Sequence, residues 1–239
     1  MSHAIKWIFI ACLCVPITLY AQATPYFRLM GGQSYSSPGQ TRTITFTPLY
    51  WKTDIANNDL ISPLFIGFSA GGRVLLSNSL EAEIGVGYYQ IQSFTLNGKV
   101  YQYSTPEFYN MDYHYALLHR SLMLEGKLIT CYASIYHPYL SAGIGANRNT
   151  SYAYQETAFQ DYAVPDPAFS DATQTSFAYS IGFGLDIDVA EHWRVGAGYQ
   201  YTNLGAAKLG TAQDQLTSDH IHVNRIYANQ FMLEAVYAV

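Results

Sequence analysis

The chain has 239 residues, a formal net charge of −5 at neutral pH and only 12% charged residues. A mildly acidic chain without a basic patch lacks the surface by which proteins hold nucleic acid, and we exclude that partner. The charged share is about half of the roughly 25% usual in globular domains. The mean hydropathy is nevertheless only +0.01, which is typical of strands with one apolar and one polar face.

The first residues have the pattern of a cleaved signal peptide. Lys6 precedes an apolar run over 7–20, and Ala21, Gln22 and Ala23 form the small-x-small pattern that a signal peptidase accepts. We predict cleavage before Thr24, with residues 1–23 as signal peptide and 24–239 as the mature chain. No later stretch reaches about 18 consecutive apolar residues, so a helical membrane span is not expected.

The mature chain repeatedly places an apolar residue at every second position, which is the period of a strand whose faces differ. In the first such stretch, Phe27 and Leu29 alternate with Arg28. In the last, Phe231 and Leu233 alternate with polar residues. We predict eight strands, over 25–34, 63–76, 80–89, 113–129, 136–149, 177–189, 193–201 and 225–239.

The connections between these strands alternate in length. The second, fourth and sixth strands are followed by short turns. Four connections are long, over 35–62, 93–112, 150–174 and 204–224. Short periplasmic turns and long extracellular loops are typical of transmembrane β-barrels, and Trp193, Tyr199 and Tyr201 suit the aromatic girdles at the two interfaces. A water-soluble barrel such as a lipocalin would place polar residues outside, whereas here unbroken apolar rows face outward. We predict an all-β, up-and-down antiparallel transmembrane barrel of eight strands.

The whole mature chain resembles the eight-stranded outer-membrane barrels of Gram-negative bacteria, the OmpA/OmpX-like and opacity-protein-like surface antigens. The segment 229–239, with Phe231 and Tyr237, looks like the signal read by the outer-membrane assembly machinery, although it ends in Val239 where that family usually has Phe or Trp. The resemblance implies a bacterial outer-membrane location. It also implies outer-membrane lipid, lipopolysaccharide and the barrel-assembly machinery as partners.

The predicted inward face carries charges of both signs, which pair when they are enclosed in a narrow barrel. These residues are Arg28, Arg73, Lys127, Arg194, Glu81, Glu83, Glu125, Asp186, Asp188 and Glu234. We predict that they form a network that plugs the lumen, with an open pore as the alternative. Ten glycines share this face and indicate either tight curvature or a narrow cavity. They are Gly67, Gly71, Gly85, Gly87, Gly143, Gly145, Gly182, Gly184, Gly196 and Gly198.

Two patterns have chemical alternatives. His119 and Ser121, with Glu125 on the same face, match a tripeptide used by one family of outer-membrane lipid A deacylases. A lipid substrate approaches from outside the barrel whereas this face is the lumen, so we predict no catalysis and no cofactor. His220 and His222 lack a firm third ligand, and we predict a solvated loop there rather than a metal site.

The predicted long loops are rich in tyrosine and small polar residues, which make adaptable contacts in binding loops. The aromatic residues are Tyr101, Tyr103, Phe108, Tyr109, Tyr113, Tyr152, Tyr154, Phe159 and Tyr162. We predict a surface protein that has a structural, adhesive or binding role through these loops, with a host or matrix ligand. The alternative function is a narrow channel for small hydrophilic or apolar compounds, as in porins and OmpW-like proteins.

Overall fold

The computed structural model describes residues 23–132, 135–166, 168–211 and 219–239. The predicted signal peptide lies outside this range except for Ala23, so its cleavage stays a prediction. No helix among the described residues has the length and apolar character needed to cross a membrane.

The described chain folds almost entirely into antiparallel strands, with one short 3₁₀ helix over Pro106–Phe108. The strands are β1 (Thr24–Tyr35), β2 (Arg42–Thr47), β3 (Tyr50–Ala56), β4 (Leu64–Ser77), β5 (Leu80–Gln102), β6 (Tyr109–Thr130), β7 (Tyr136–Ala158), β8 (Ala172–Ala190), β9 (Trp193–Lys208) and β10 (His222–Ala238).

Eight of these strands close into a barrel. Strand β1 pairs with β4 and with β10, and each strand from β4 to β9 pairs with the next one. A closed ring leaves no free sheet edge in the membrane. The predicted eight-stranded antiparallel barrel is therefore confirmed.

Strands β2 and β3 form a hairpin inside the connection that was predicted as a long loop over 35–62. Residues 52–56 of β3 pair with 98–102 of β5, so the hairpin extends the sheet above the barrel. The predicted loop over 93–112 was also too long, because β5 continues to Gln102 and β6 begins at Tyr109. A β-bulge between Ile91 and Phe94 interrupts the period of two at the point where the prediction ended β5.

The predicted loop over 150–174 likewise includes the ends of two strands. Strand β7 continues to Ala158 and β8 begins at Ala172, and the two pair as far as Ser151 and Ala172. The predicted loop over 204–224 shortens in the same way, since β9 ends at Lys208 and β10 begins at His222. The barrel therefore rises well above the membrane on its long-loop side.

The two faces of each strand differ as predicted. On the outer face of β8, Phe183 is 57% exposed and Leu185 is 38% exposed. Asp186, the next residue after Leu185, faces inward and is 1% exposed. In β10, Phe231 and Leu233 face outward and Glu234 faces inward. The register predicted for these strands is confirmed.

The outward surface stays apolar from the short turns up to a row of polar residues on neighbouring strands. Gln90, Arg120, Arg148 and Thr175 are successive cross-strand partners in this row, which we call the boundary row. Ten residues separate Arg120 from the end of β6 at Thr130. At about 3.3 Å per residue and a tilt near 40°, this is roughly 25 Å, the height of the apolar band of such barrels. The part below the boundary row spans the membrane.

Candidate functional site

Charged side chains fill the part of the lumen nearest the short turns. Arg28 on β1 lies at its centre and is 7% exposed. The guanidinium pairs with Glu83, and its Nε and Nη1 atoms lie 3.0 Å from Glu234 and 3.4 Å from Glu125. One cation thus meets carboxylates from β5, β6 and β10, so it holds distant parts of the wall together.

Lys127 forms the second centre of positive charge. Its Nζ donates hydrogen bonds to Asp186 at 2.7 Å and to Glu234 at 2.9 Å. The same atom lies 3.6 Å from the centre of the Tyr139 ring, a cation–π contact. Because Glu234 contacts both cations, the Arg28 and Lys127 clusters are joined.

Two further arginines extend the cluster towards the short turns. Arg73 donates to Glu83 at 2.7 Å and lies 3.7 Å from Glu81. Arg194 donates to Glu81 and to Asp188, each at 2.8 Å. The structure therefore brings the predicted inward charges into one connected set. We call it the charge network: Arg28, Arg73, Glu81, Glu83, Glu125, Lys127, Asp186, Asp188, Arg194 and Glu234.

The sequence prediction missed one member of this region. His137 is 2% exposed, and its Nε2 lies 2.8 Å from Asp188. His137 lies two positions before Tyr139, on the same face of β7. Continuing the alternation of β7 one step towards its start therefore places His137 in the lumen. A lone histidine at the start of a strand gives no other signal.

The inward glycines fall into two groups. A Cβ atom at Gly71 or Gly145 would lie 2.1 Å or 2.0 Å from a backbone oxygen of the adjacent strand, which agrees with the predicted tight curvature. At other positions tyrosine rings occupy the space that the glycines leave. A Cβ atom at Gly67 would lie 2.5 Å from the Tyr89 ring, and one at Gly184 would lie 2.5 Å from the Tyr139 ring. Tyr89 also donates its hydroxyl to Glu125. Bare backbone on one strand therefore admits a large side chain from another.

Two small cavities lie inside the barrel. One of about 20 Å³ lies among the charge network, beside Tyr139 and Glu234. Another of about 10 Å³ lies next to it, beside Ser121 and Gln230. Each is close to the volume that a single enclosed water needs. The described side chains therefore leave little space around these two cavities.

In the described residues, no hydrogen bond joins His119, Ser121 and Glu125 to one another. His119 Nδ1 pairs with Asn149 Oδ1, and Ser121 Oγ donates to Asn147 Oδ1 at 2.8 Å. Glu125 contacts Tyr89 and Arg28 instead of the histidine. A serine nucleophile needs its base within hydrogen-bond reach. All three side chains are engaged as lining of the lumen.

Above the boundary row the lumen changes character. Many of its inward side chains are apolar and almost fully buried, among them Leu96, Val100, Met111 and Leu117. The neighbouring outward residues Asn97 and Lys99 are exposed. This part of the barrel lies in water, so its apolar residues turn inward as they do in a soluble protein.

Lys52 of the β2–β3 hairpin is enclosed in this apolar region. It is fully buried, pairs with Glu156 and lies 3.5 Å from Asp166. The rings of Phe46, Tyr154 and Phe169 lie within 6.0 Å of its Nζ. The hairpin is thus anchored in the mouth of the barrel by a buried cation.

Asp54 lies two residues further along the same hairpin. It is 1% exposed, and neither carboxylate oxygen has a hydrogen-bond partner among the described residues. Burial raises the pKa of Asp54 to about 7, although Lys52 opposes the shift. Glu156 and Asp166 add to it because they are like charges. The mouth therefore contains a carboxyl group that titrates near neutrality.

Six aromatic rings crowd the tip of the β5–β6 connection. Tyr103 lies 5.9 Å from Trp51 and 5.8 Å from Phe108 between ring centres. Tyr109 lies 5.4 Å from Tyr101 and 4.9 Å from Phe159. We call these residues the aromatic tip. Tyr103, Phe108 and Phe159 are 43%, 47% and 47% exposed, so the tip offers aromatic surface to the medium.

The backbone at the aromatic tip is strained. Tyr103 and Ser104 have φ of 53° and 56°, a left-handed conformation that bulky residues rarely adopt. The strain is held by two contacts with β3: the amide of Tyr103 donates to the Trp51 carbonyl at 2.8 Å, and the Ser104 hydroxyl lies 2.7 Å from Thr53 Oγ1. Strained residues of this kind cluster at functional sites.

His220 and His222 lie just before and at the start of β10. Asp214, which lies close to His220 and His222 in the sequence, is outside the described residues. Within the described ranges, no group of three or more His, Cys, Asp or Glu is arranged to hold a metal ion. His222 Nδ1 lies 3.3 Å from the backbone oxygen of His220.

The closed ring of strands, the apolar outer band and the polar lumen define an outer-membrane β-barrel. The chain belongs to the outer membrane protein beta-barrel domain family, whose model matches residues 15–237. It is accordingly a protein of the bacterial outer membrane. A search of curated proteins finds no match to the chain.

Several solved structures share the fold at low identity. Neisserial surface protein A is 16% identical with a TM-score of 0.47, over 90% of this chain and 97% of that chain. Outer membrane protein OprG from Pseudomonas aeruginosa is 14% identical with a TM-score of 0.46, over 91% and 97%. Outer membrane protease OmpT from Escherichia coli is 9% identical with a TM-score of 0.45, over 91% and 97%. None of these likenesses bears on the function of this chain.

Proposed function

We propose that the protein is a surface protein with a closed lumen that binds a host or matrix ligand through its extracellular end. The observation that carries the proposal is the aromatic tip on a strained but firmly held backbone. Strain at an exposed loop persists only where surrounding contacts impose it. Rigid tyrosine and tryptophan side chains provide large contact areas at a low entropic cost. The tip thus has the properties of a preorganised binding surface.

A closed lumen, which the contacts of the charge network favour, suits a role at the surface rather than in transport. The charge network, with the rings of Tyr89 and Tyr139 in contact with it, lies below the apolar region of the upper barrel. Opening a path through the charge network would leave buried charges without partners, which costs several kcal/mol for each broken pair. A barrel of this kind serves as a rigid support for its loops.

The binding role is tested with bacteria that display the protein. The double variant Tyr103→Ser and Phe108→Ser removes two exposed rings of the aromatic tip. Tyr162→Ser is the matched control, since Tyr162 is 72% exposed on a neighbouring loop. We expect the double variant to lose most adhesion to immobilised matrix proteins and epithelial cells, while the control keeps it. Equal adhesion of the double variant and the wild type at equal surface display would refute the proposal.

A narrow lateral channel is the second candidate, and one observation favours it. The ladder between β8 and β9 stops at Tyr179 and Asn203. Above this point, side chains close the wall: Asn147 and Asn149 donate to the Leu204 carbonyl at 2.7 Å and 2.9 Å. A seam closed by side chains opens more readily than a backbone ladder. Planar-bilayer recordings separate the two functions: the closed-lumen proposal expects no steady conductance, and steady conductance would favour the channel.

A further inference from the structure

Two arginines stand side by side on the outer wall of the barrel. Arg120 on β6 and Arg148 on β7 are direct cross-strand partners. Both are exposed, while the residues on either side of each one are buried in the lumen or turned towards it. Gln90 and Thr175 continue the row on β5 and β8. The boundary row therefore presents two guanidinium groups in a polar strip that faces outward.

This pair has no counter-charge in the part of the chain that the structure describes. The inward arginines Arg28, Arg73 and Arg194 each meet two or more carboxylates. Neither Arg120 nor Arg148 forms an ion pair or a hydrogen bond with the described residues. Like charges directly opposite one another destabilise a sheet. An anion placed between the two guanidinium groups would remove this repulsion.

The height of the pair in the membrane limits what the anion is. The boundary row lies roughly 25 Å above the short turns, at the level where the apolar band of a bacterial barrel ends. The outward partners one step below are apolar: Leu122, Ala146 and Phe177. The guanidinium groups thus lie at the headgroup level of the outer leaflet, with acyl-chain surface beneath them.

The wall below the pair has a shallow apolar groove on the same four strands. Small outward residues form its floor, namely Ala82, Gly126 and Ala142, and larger ones form its sides, namely Ile84, Leu128, Leu140 and Ile181. A groove of this shape and chemistry accommodates a hydrocarbon chain. A cationic pair above an apolar groove matches a molecule with a phosphate at one end and acyl chains at the other.

We propose that Arg120 and Arg148 bind a phosphate group of a phosphorylated glycolipid of the outer leaflet, the lipid A part of lipopolysaccharide, whose acyl chains lie along the wall of β5 to β8. Guanidinium groups bind phosphate through paired hydrogen bonds in a fixed planar geometry. The site lies on the membrane wall and uses no residue of the aromatic tip. It therefore stands or falls independently of the proposed adhesion.

The test measures binding of purified lipid A to the refolded full barrel in detergent micelles by native mass spectrometry. The double variant Arg120→Gln and Arg148→Gln removes both charges. Arg225→Gln is the control, because Arg225 is a fully exposed arginine on β10, away from the pair. We expect at least a tenfold weaker affinity in the double variant and less than a twofold change in the control. Retention of a heat-dependent gel shift shows that each variant is folded.

Two further probes identify the ligand chemistry without any substitution. Lipid A from which the phosphates have been removed should bind to the wild type at least tenfold more weakly than intact lipid A. Inorganic phosphate at millimolar concentration should not displace intact lipid A, because it lacks the acyl chains. Equal binding of the dephosphorylated lipid would overturn the phosphate contact. Displacement by inorganic phosphate would overturn the lipid and leave a simple anion site. Unchanged affinity in the double variant would overturn the assignment of the two arginines.

Discussion

Replacing Arg28 with methionine should destabilise the barrel more than any other single substitution in the charge network. The side chain contacts Glu83, Glu125 and Glu234 and is almost inaccessible to solvent. Methionine fills a similar volume but leaves these carboxylates with less positive charge. Removing one partner of a buried ion pair costs about 3 to 5 kcal/mol. We expect a loss of this size in the free energy of unfolding.

Arg73→Met is the matched comparison. Its carboxylate partners keep other cations, since Glu83 retains Arg28 and Glu81 retains Arg194. The Arg73 side chain is also 13% exposed, so water partly replaces it. We expect a loss of roughly 1 to 2 kcal/mol, between the values for exposed and buried pairs. Urea titration of the refolded protein in detergent, followed by tryptophan fluorescence and by the heat-dependent gel shift, measures both. A smaller loss for Arg28→Met than for Arg73→Met would refute the role given to Arg28.

Three further substitutions test the lipid-facing register, the packing of the lumen and the buried carboxyl group. Phe183→Arg places a charge on the lipid face and should cost about 2 to 4 kcal/mol near the bilayer midplane; a loss below 1 kcal/mol in the urea titration would contradict the register. Gly184→Ala points inward and does not meet lipid, but it should also destabilise the barrel, because its Cβ atom would lie 2.5 Å from the Tyr139 ring and from the Ala197 backbone oxygen. If the double variant with Tyr139→Leu recovers stability, the ring is partly responsible for the loss. Since the pKa of Asp54 is raised to about 7 in the folded protein, the protonated form is favoured by folding, and the stability of the β2–β3 hairpin should fall as pH rises from about 4 to about 7. Asp54→Asn should remove most of this dependence in hydrogen exchange corrected for intrinsic rates, and an unchanged pH profile would rule out Asp54 as its source.

The period of two predicts the membrane part of the barrel because lipid and lumen impose opposite chemistry on alternate residues. Phe231 and Leu233 lie against the lipid band while Gln230 and Glu234 face the lumen, and the same contrast marks every barrel strand. The alternation did not predict the β2–β3 hairpin, because this hairpin lies outside the membrane and does not contact lipid. Its alternation of threonine with Ile44 and Phe46 is present but spans only six residues.

The sequence indicates which residues enter the lumen but not which of them meet. Arg28 and Glu83 are 55 positions apart, and Lys127 and Glu234 are 107 apart. Their contacts depend on strand register and on the closure of the ring, and the periodicity of a single strand contains no information about either. For the same reason the filling of glycine gaps by Tyr89 and Tyr139 was not predicted, because Gly67 and Gly184 lie on other strands than these rings.

The inversion of the two faces above the boundary row leads to a final prediction. There the barrel is a soluble β-structure with an apolar interior, so its stability depends on burial rather than on the charge network. Leu96 is 6% exposed, and Leu96→Ala should cost about 2 to 5 kcal/mol through the cavity that it leaves. The exposed neighbour Asn97→Ala should change stability by less than about 0.5 kcal/mol.

The loss caused by Leu96→Ala should stay local. Hydrogen exchange should accelerate in β2, β3 and the upper part of β5, while the membrane strands keep their protection and the heat-dependent gel shift is unchanged. Such separation is expected because Leu96 lies above the boundary row and the charge network lies below it. If the substitution instead lowers the protection of all eight barrel strands equally, the two parts unfold as one unit. The extracellular end would then not be an independent support for the aromatic tip.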